Sequence, residues 1–348
     1  MTTLDVRLLY LFVGRYLAYL SFRVPLLGFT ISIMSHTTTA SHCVSVCFRR
    51  KMETTNVLKS PFDAAKPIRE NLGAYLLKRL HRAPDSRLIN GTTNESLSFT
   101  EVAQQAMTAA KSFLKYGIKE GDIVCFITAN CMQIIPALIG VASINAVATY
   151  SEMSHEDTVD HLNKLNVVAI LSDVSSLPRA QAAKKLAPSV MNVFIMGESN
   201  TPECVSWSEL VAAQDCDSTG ADAVYIPDHP CYLPTTSGTT GKPKVAIHTH
   251  DTLMACLQSV SHPKHMPLDR QDVLLATTAL IHVYALFDCI FKAVVQGASC
   301  VFLEYCDGDS VLRALQRYKV PSPLYAFYTL KQTVPKKYKT DVEKADTQ

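Results

Sequence analysis

From residue 97 onward the apolar positions change period repeatedly. Residues 97–99 read as a short strand, and 101–116 as a helix with Val102, Ala106, Ala109 and Phe113 on one face and Gly117 at its end. An unbroken apolar strand follows at 122–128, then a helix at 133–143, a strand at 147–150, a helix at 155–165, a strand at 167–172, a helix at 178–186 and a strand at 192–196. Near-continuous apolar strands alternating with helices predict an α/β fold, a parallel sheet covered on both faces. Residues 197–230, with Pro202, Gly220 and Pro227, weaken the pattern to a connection with one short helix at 207–213. The alternation then resumes with strands at 245–248, 273–277 and 299–303 and helices at 252–260, 284–295 and 310–318. The expected organisation is two layered α/β subdomains, 52–200 and 201–330, the second incomplete, with a polar tail at 331–348.

The first 51 residues obey a different rule. Residues 8–34 are strongly apolar, but Arg15 and Arg23 interrupt them and Pro25 would kink a helix, which makes a poor spanning segment. Six basic residues stand against Asp5 alone in 1–51, and the rest of the chain carries 27 basic and 30 acidic residues. Three readings stay open for this leader. It is an organelle-targeting presequence, which would make the protein mitochondrial; a membrane anchor with snorkelling arginines; or an extension upstream of Met52.

The net charge of +2 excludes a general electrostatic attraction to nucleic acid. Eleven scattered cysteines, without a C-x-x-C pair or the spacing of a zinc ribbon, read as mostly buried thiols in a reducing, intracellular compartment. Cys300 and Cys306 read as core positions. Two glycosylation sequons begin at Asn90 and Asn94 and would matter only in a secretory lumen. His248 and His250, in alternation on a strand, would share a face as a metal site requires, but no third ligand is evident, so the expectation is no metal site.

The chemistry is concentrated in Thr236-Ser237-Gly238-Thr239-Thr240-Gly241-Lys242-Pro243-Lys244. Its glycines let the backbone approach an anion, its hydroxyls donate to phosphate oxygens, and Lys244 adds positive charge. A Walker A loop would need glycine where Pro243 stands, and no nucleophile elbow G-x-S-x-G is present. S-G-T-T-G-x-P-K fixes seven positions. A chance match in a chain of this length is on the order of one in a million.

That order resembles the signature of the adenylate-forming enzymes, the family of acyl- and aryl-CoA ligases, firefly-type luciferases and peptide-synthetase adenylation domains. The coumarate-CoA-ligase-like and luciferase-like branch is the most similar. Residues 98–102 and 117–124 look like the family's opening strand, helix and turn; Asn130 and the helix after it fit; Ile281-His282-Val283-Tyr284-Ala285-Leu286 is similar to its F-H-I-Y-A-L segment; and residues 312–320 resemble the helix ending in Y-K-V. The resemblance implies a two-step reaction. A carboxylate attacks the α-phosphate of Mg-ATP to give an acyl adenylate and pyrophosphate, and the thiol of coenzyme A then displaces AMP. It implies that Thr236, Ser237, Gly238, Thr239, Thr240, Gly241 and Lys244 hold the departing phosphates, that His282 and Tyr284 line the acyl pocket, and that His250 is the family's T-H pair after the loop.

Two positions depart from the family pattern, Thr235 where an aromatic residue is usual and Val245 where a glycine is usual. The later Y-G-x-T-E and T-G-D motifs and the adenylation lysine have no counterpart in the chain, so the catalytic residues stay unassigned and truncation inside the second subdomain is expected. Two functions follow from this. One is an AMP-forming ligase for a small-molecule carboxylic acid, inactive as a fragment or short isoform. The other is a noncatalytic nucleotide- or protein-binding module that pairs with a full-length relative.

Overall fold

The computed structural model describes residues 66–198, 201, 203–212, 224–236, 243–262 and 267–320, together with the backbone of 31–32 and 47–48. The chain divides into two compact units, 1–64 and 65–348. In the first, β1 (Ile31–Ser32) pairs antiparallel with β2 (Cys47–Phe48). The rest of the leader, including nearly all of the apolar stretch 8–34, lies outside the described residues, as does the tail 331–348.

The second unit holds two sheets. The larger is built from β5 (Ile123–Ile127), β6 (Val147–Tyr150), β7 (Ala169–Asp173), β8 (Asn192–Met196), β9 (Val205–Ser206), β10 (Pro230–Leu233) and β11 (His248–Thr249). Their order is β11-β10-β6-β5-β7-β8-β9, parallel throughout except for the β10–β11 pair. Successive residues of its central strands enter different cores: Val124 and Phe126 of β5 and Phe194 of β8 join one cluster, Cys125, Ile127 and Val193 the other. A period of two with both faces buried is why these strands are apolar without a break.

The helices divide accordingly. α1 (Leu72–Arg82), α2 (Phe99–Lys115) and α3 (Ile134–Ser143) contribute to the first cluster, while α4 (His155–Lys164) and α5 (Leu177–Lys184) contribute to the second. α2 starts where its sequence directs. Ser98 accepts Glu101 N–H, and the Glu101 carboxylate accepts Ser98 N–H at 2.6 Å, a reciprocal capping box. α6 (Trp207–Val211) follows β9 directly.

The smaller sheet joins β3 (Arg87–Asn90) and β4 (Ser96–Ser98) to β12 (Val273–Ala276) and β13 (Ser299–Phe302), in the order β12-β13-β3-β4. Leu88 pairs with Cys300 and Ile89 with Val301. The expected division near residue 200 therefore does not separate the sheets, because strand pairing is non-local and the pattern around 97–99 reports a strand but not its neighbour. α1, β3 and β10 were not anticipated from the pattern. The helix expected at 284–295 is an eight-residue π-helix, Tyr284–Phe291, continued by α8 (Lys292–Gln296). α7 (His250–Val260) and α9 (Gly308–Tyr318) complete the unit. No helix among the described residues is long and apolar enough to cross a membrane.

Candidate functional site

The loop leaves the carboxyl end of β10, the end at which open α/β sheets bind ligands. Its departure is anchored from the neighbouring strand. Thr149 of β6 donates its hydroxyl to Leu233 O at 2.7 Å, and His161 Nε2 lies 2.9 Å from the same hydroxyl. Because that hydroxyl spends its proton on the carbonyl, the ring nitrogen is the donor. Burial holds the His161 pKa below its ordinary value.

Residues 234–236 and 244–246 run antiparallel at the loop's base. Ala246 N–H donates to Pro234 O at 2.9 Å, Thr236 N–H to Lys244 O at 2.7 Å and Lys244 N–H to Thr236 Oγ1 at 3.3 Å. Thr235 and Val245 face each other across this ladder as a bridge pair. The two departures from the family pattern are thus partners, and a β-branched pair suits an extended cross-strand site better than a glycine would. The strand expected at 245–248 is this bridge followed by β11. Thr236 and Lys244 are both exposed, side by side at the mouth. Ser237, Gly238, Thr239, Thr240 and Gly241 lie outside the described residues.

His282 is exposed beyond the carboxyl end of β12. Its backbone N–H donates to Ala279 O at 2.9 Å, its carbonyl accepts Leu286 N–H at 3.0 Å, and its Nδ1 accepts Tyr284 N–H at 3.3 Å, which leaves Nε2 as the ring nitrogen turned away from this bond. Tyr284, half-buried, opens the π-helix. Such helices are rare and concentrate at functional sites. Tyr232 of β10 links the two regions: its buried hydroxyl donates to Ile281 O, next to His282, while its ring stacks on Tyr150 at 6.4 Å and 17°. Sequence reasoning missed Tyr232 because β10 is too short to show a period, and Thr149 because its strand was legible but its partners Leu233 and His161 were not.

His248 and His250 do not share a strand face. His248 belongs to β11, whereas His250 opens α7, fully buried, and its Nδ1 accepts Leu72 N–H at 3.0 Å. It thereby satisfies an orphan donor at the start of α1. Burial, helped by His229 stacked 6.2 Å away and opposed by Asp251, pushes its pKa down to about 4. Among the described residues no group of three or more His, Cys, Asp and Glu side chains could hold a metal ion. The described cysteines are unpaired, and burial pushes the thiols of Cys131, Cys231 and Cys289 up to about 12. Cys300 is buried in the main core, and Cys306 packs half-buried beside β13. At the first sequon, Asn90 is buried and donates to Glu304 Oε1 at 2.8 Å, which removes it as a glycan acceptor.

A largely parallel sheet covered by helices, with a Gly/Ser/Thr-rich segment closed at its base beyond a strand's carboxyl end, defines an open-sheet α/β protein. The sequence profile of the family described as "AMP-binding enzyme" matches residues 76–328, and the chain belongs to this family, within the adenylate-forming superfamily. 4-Coumarate–CoA ligase 3 of Oryza sativa subsp. japonica is 26% identical over 239 residues, covering 67% of this chain and 42% of that protein. 4-Coumarate–CoA ligase CCL1 of Humulus lupulus is 26% identical over 266 residues, covering 72% and 46%. The chain spans about half the length of the curated relatives it matches. In fold it resembles the luciferase-like enzyme of the nonluminescent mealworm Zophobas morio, with a TM-score of 0.70 at 21% identity over 81% of this chain and 66% of that one. It also resembles the red-emitting luciferase of Phrixothrix hirtus, with a TM-score of 0.68 at 20% identity over 75% and 51%.

Proposed function

We propose that this chain supplies the phosphate-side half of an AMP-forming carboxylate–CoA ligase. The carrying observation is the hydrogen-bonded ladder 234–236/244–246, which presents the loop at the carboxyl end of β10 with Thr236 and Lys244 together at its mouth. In this reading the hydroxyls and amides of 236–241 and the Lys244 ammonium neutralise the β- and γ-phosphates of Mg-ATP. The substrate carboxylate oxygen forms a bond to the α-phosphorus, the bond to the bridging oxygen breaks, and pyrophosphate departs with its electron pair. The thiolate of coenzyme A then forms the thioester and releases AMP. Protein groups contribute by positioning and by stabilising charge that grows on the leaving oxygens. His282 donates from Nε2 to the carboxylate from the acyl side, with Tyr284 beside it. The named activity of the coumarate ligases supports an aromatic acid as substrate, and a fatty acid is the competing class.

Carboxylate-dependent exchange of labelled pyrophosphate into ATP, run against aromatic and fatty acids, tests this directly. In a complete enzyme containing this half, exchange above background, lowered at least tenfold by Lys244→Ala, is expected, whereas residues 1–348 alone are expected to give none. ATP binding by that enzyme without exchange for any acid would instead support the noncatalytic module, and neither binding nor exchange would overturn both.

A further inference from the structure

We infer that Asn130 and Tyr232 are positioning residues, one in the connection that follows β5 and one on β10, that together fix the backbone carrying His282. Asn130 lies in the connection between β5 and α3. Its Nδ2 donates to Leu303 O at 2.9 Å and to Thr278 O at 3.3 Å, and its Oδ1 accepts Leu280 N–H at 2.7 Å. One amide thus ties the carboxyl ends of β12 and β13, both in the smaller sheet, to the carboxyl end of β5 in the larger. Tyr232 takes the next carbonyl, Ile281 O. Between Thr278 and His282, a stretch without a strand ladder or helix of its own, backbone groups at 278, 280 and 281 are held from outside and His282 N–H closes onto Ala279 O.

The residue types follow from this geometry. Asn130 meets two carbonyls, Thr278 O of the segment and Leu303 O beyond β13, and one N–H, and a short primary amide is the side chain that serves both acceptors and the donor at once. Aspartate would keep the bond to Leu280 N–H but set a carboxylate against two carbonyl oxygens. At 232 the requirement is a donor on a buried ring, and burial raises the phenol's pKa well above its ordinary value, so it stays protonated. A leucine or phenylalanine would fill the same volume and leave Ile281 O without this partner. β10 and the bridge residue after it therefore perform two tasks three residues apart, holding the acyl-side histidine through Tyr232 and launching the phosphate loop from Thr235. The link to acyl recognition rests on the function proposed above, whereas the fixing of the segment does not.

The full chain provides the test. In the wild type, the amide of Leu280 is expected to exchange with deuterium as slowly as the amides of β12, and rapid exchange would overturn the inference without any substitution. In Tyr232→Phe and Asn130→Asp, checked for folding by thermal melting, the His282 ring resonances should shift or broaden. Affinity for cinnamoyl- or dodecanoyl-sulfamoyl adenosine should fall about tenfold, with ATP affinity unchanged within twofold. Combined with His282→Ala, Tyr232→Phe should cost no further affinity, a non-additivity that a merely structural role would not produce. Unchanged ring resonances and unchanged analogue affinity would overturn the inference. If the wild type binds neither analogue, the proposed function fails, while the exchange rate and the ring resonances still decide whether Asn130 and Tyr232 hold the segment.

Discussion

At position 250 an imidazole serves as a helix cap, and the service depends on its being neutral. The Leu72 N–H needs a lone pair on Nδ1, and the pKa pushed down to about 4 keeps that lone pair free across most of the accessible range. The unfolded chain takes up a proton near pH 6.5, so between about 6.5 and 4 it binds more protons than the native state. Stability from this site is therefore full above about pH 6.5 and lost as the pH falls, by up to about 1.4 kcal/mol per pH unit. Urea midpoints measured from pH 7.5 to 5 should decline in the wild type and decline less steeply in His250→Leu, which begins less stable because Leu72 N–H loses its acceptor. The pair Thr235/Val245 makes a second prediction at this scale. Val245→Gly should cost about 1 kcal/mol through lost cross-strand contact and added chain entropy, and should speed exchange at the Thr236 amide.

Among the elements, α2 was legible through its apolar stripe and the left-handed Gly117 at its end, while the capping box at Ser98 starts it at Phe99, two residues before the expected 101. Ser98→Ala should cost about 1 kcal/mol in chemical denaturation. The π-helix was not legible, since apolar spacing over eight residues looks alike whether the backbone bonds i to i+4 or to i+5. α1 shows a third situation. Asn71 caps it, Leu72, Leu76 and Leu80 are buried, and Gly73 lets it press against α3. A Cβ at 73 would lie 2.4 Å from Ser143 Oγ and 2.5 Å from Ser143 N. Gly73→Ala should therefore destabilise by about 1–3 kcal/mol despite alanine's better helix propensity, read from the shift in urea midpoint at constant m.

For the molecule as a whole, the class of fold was legible and the partition was not. Alternating apolar strands and helices announce a covered parallel sheet, but nothing in residues 87–98 announces that their partner lies at 299–302, more than two hundred positions later. The site divides in the same way. The loop shows itself through the fixed order S-G-T-T-G-x-P-K, whereas the bonds from Asn130, Thr149 and Tyr232 follow from packing that brings distant segments together. Polypeptides 65–200 and 201–348 produced separately should consequently fail to fold, since each holds part of the smaller sheet, and the dispersion of their amide spectra should recover only on mixing.

The margins of the larger sheet carry a further consequence. Among the described residues it ends in β9 on one side and β11 on the other, each two residues long, and β11 runs against its neighbour. A foreign strand approaching either side meets an edge strand only two residues long, a short ladder on which to template addition. Sequence that is almost wholly apolar in its middle strands is thereby kept from growing sideways into the stacked, open-ended sheets of a fibril.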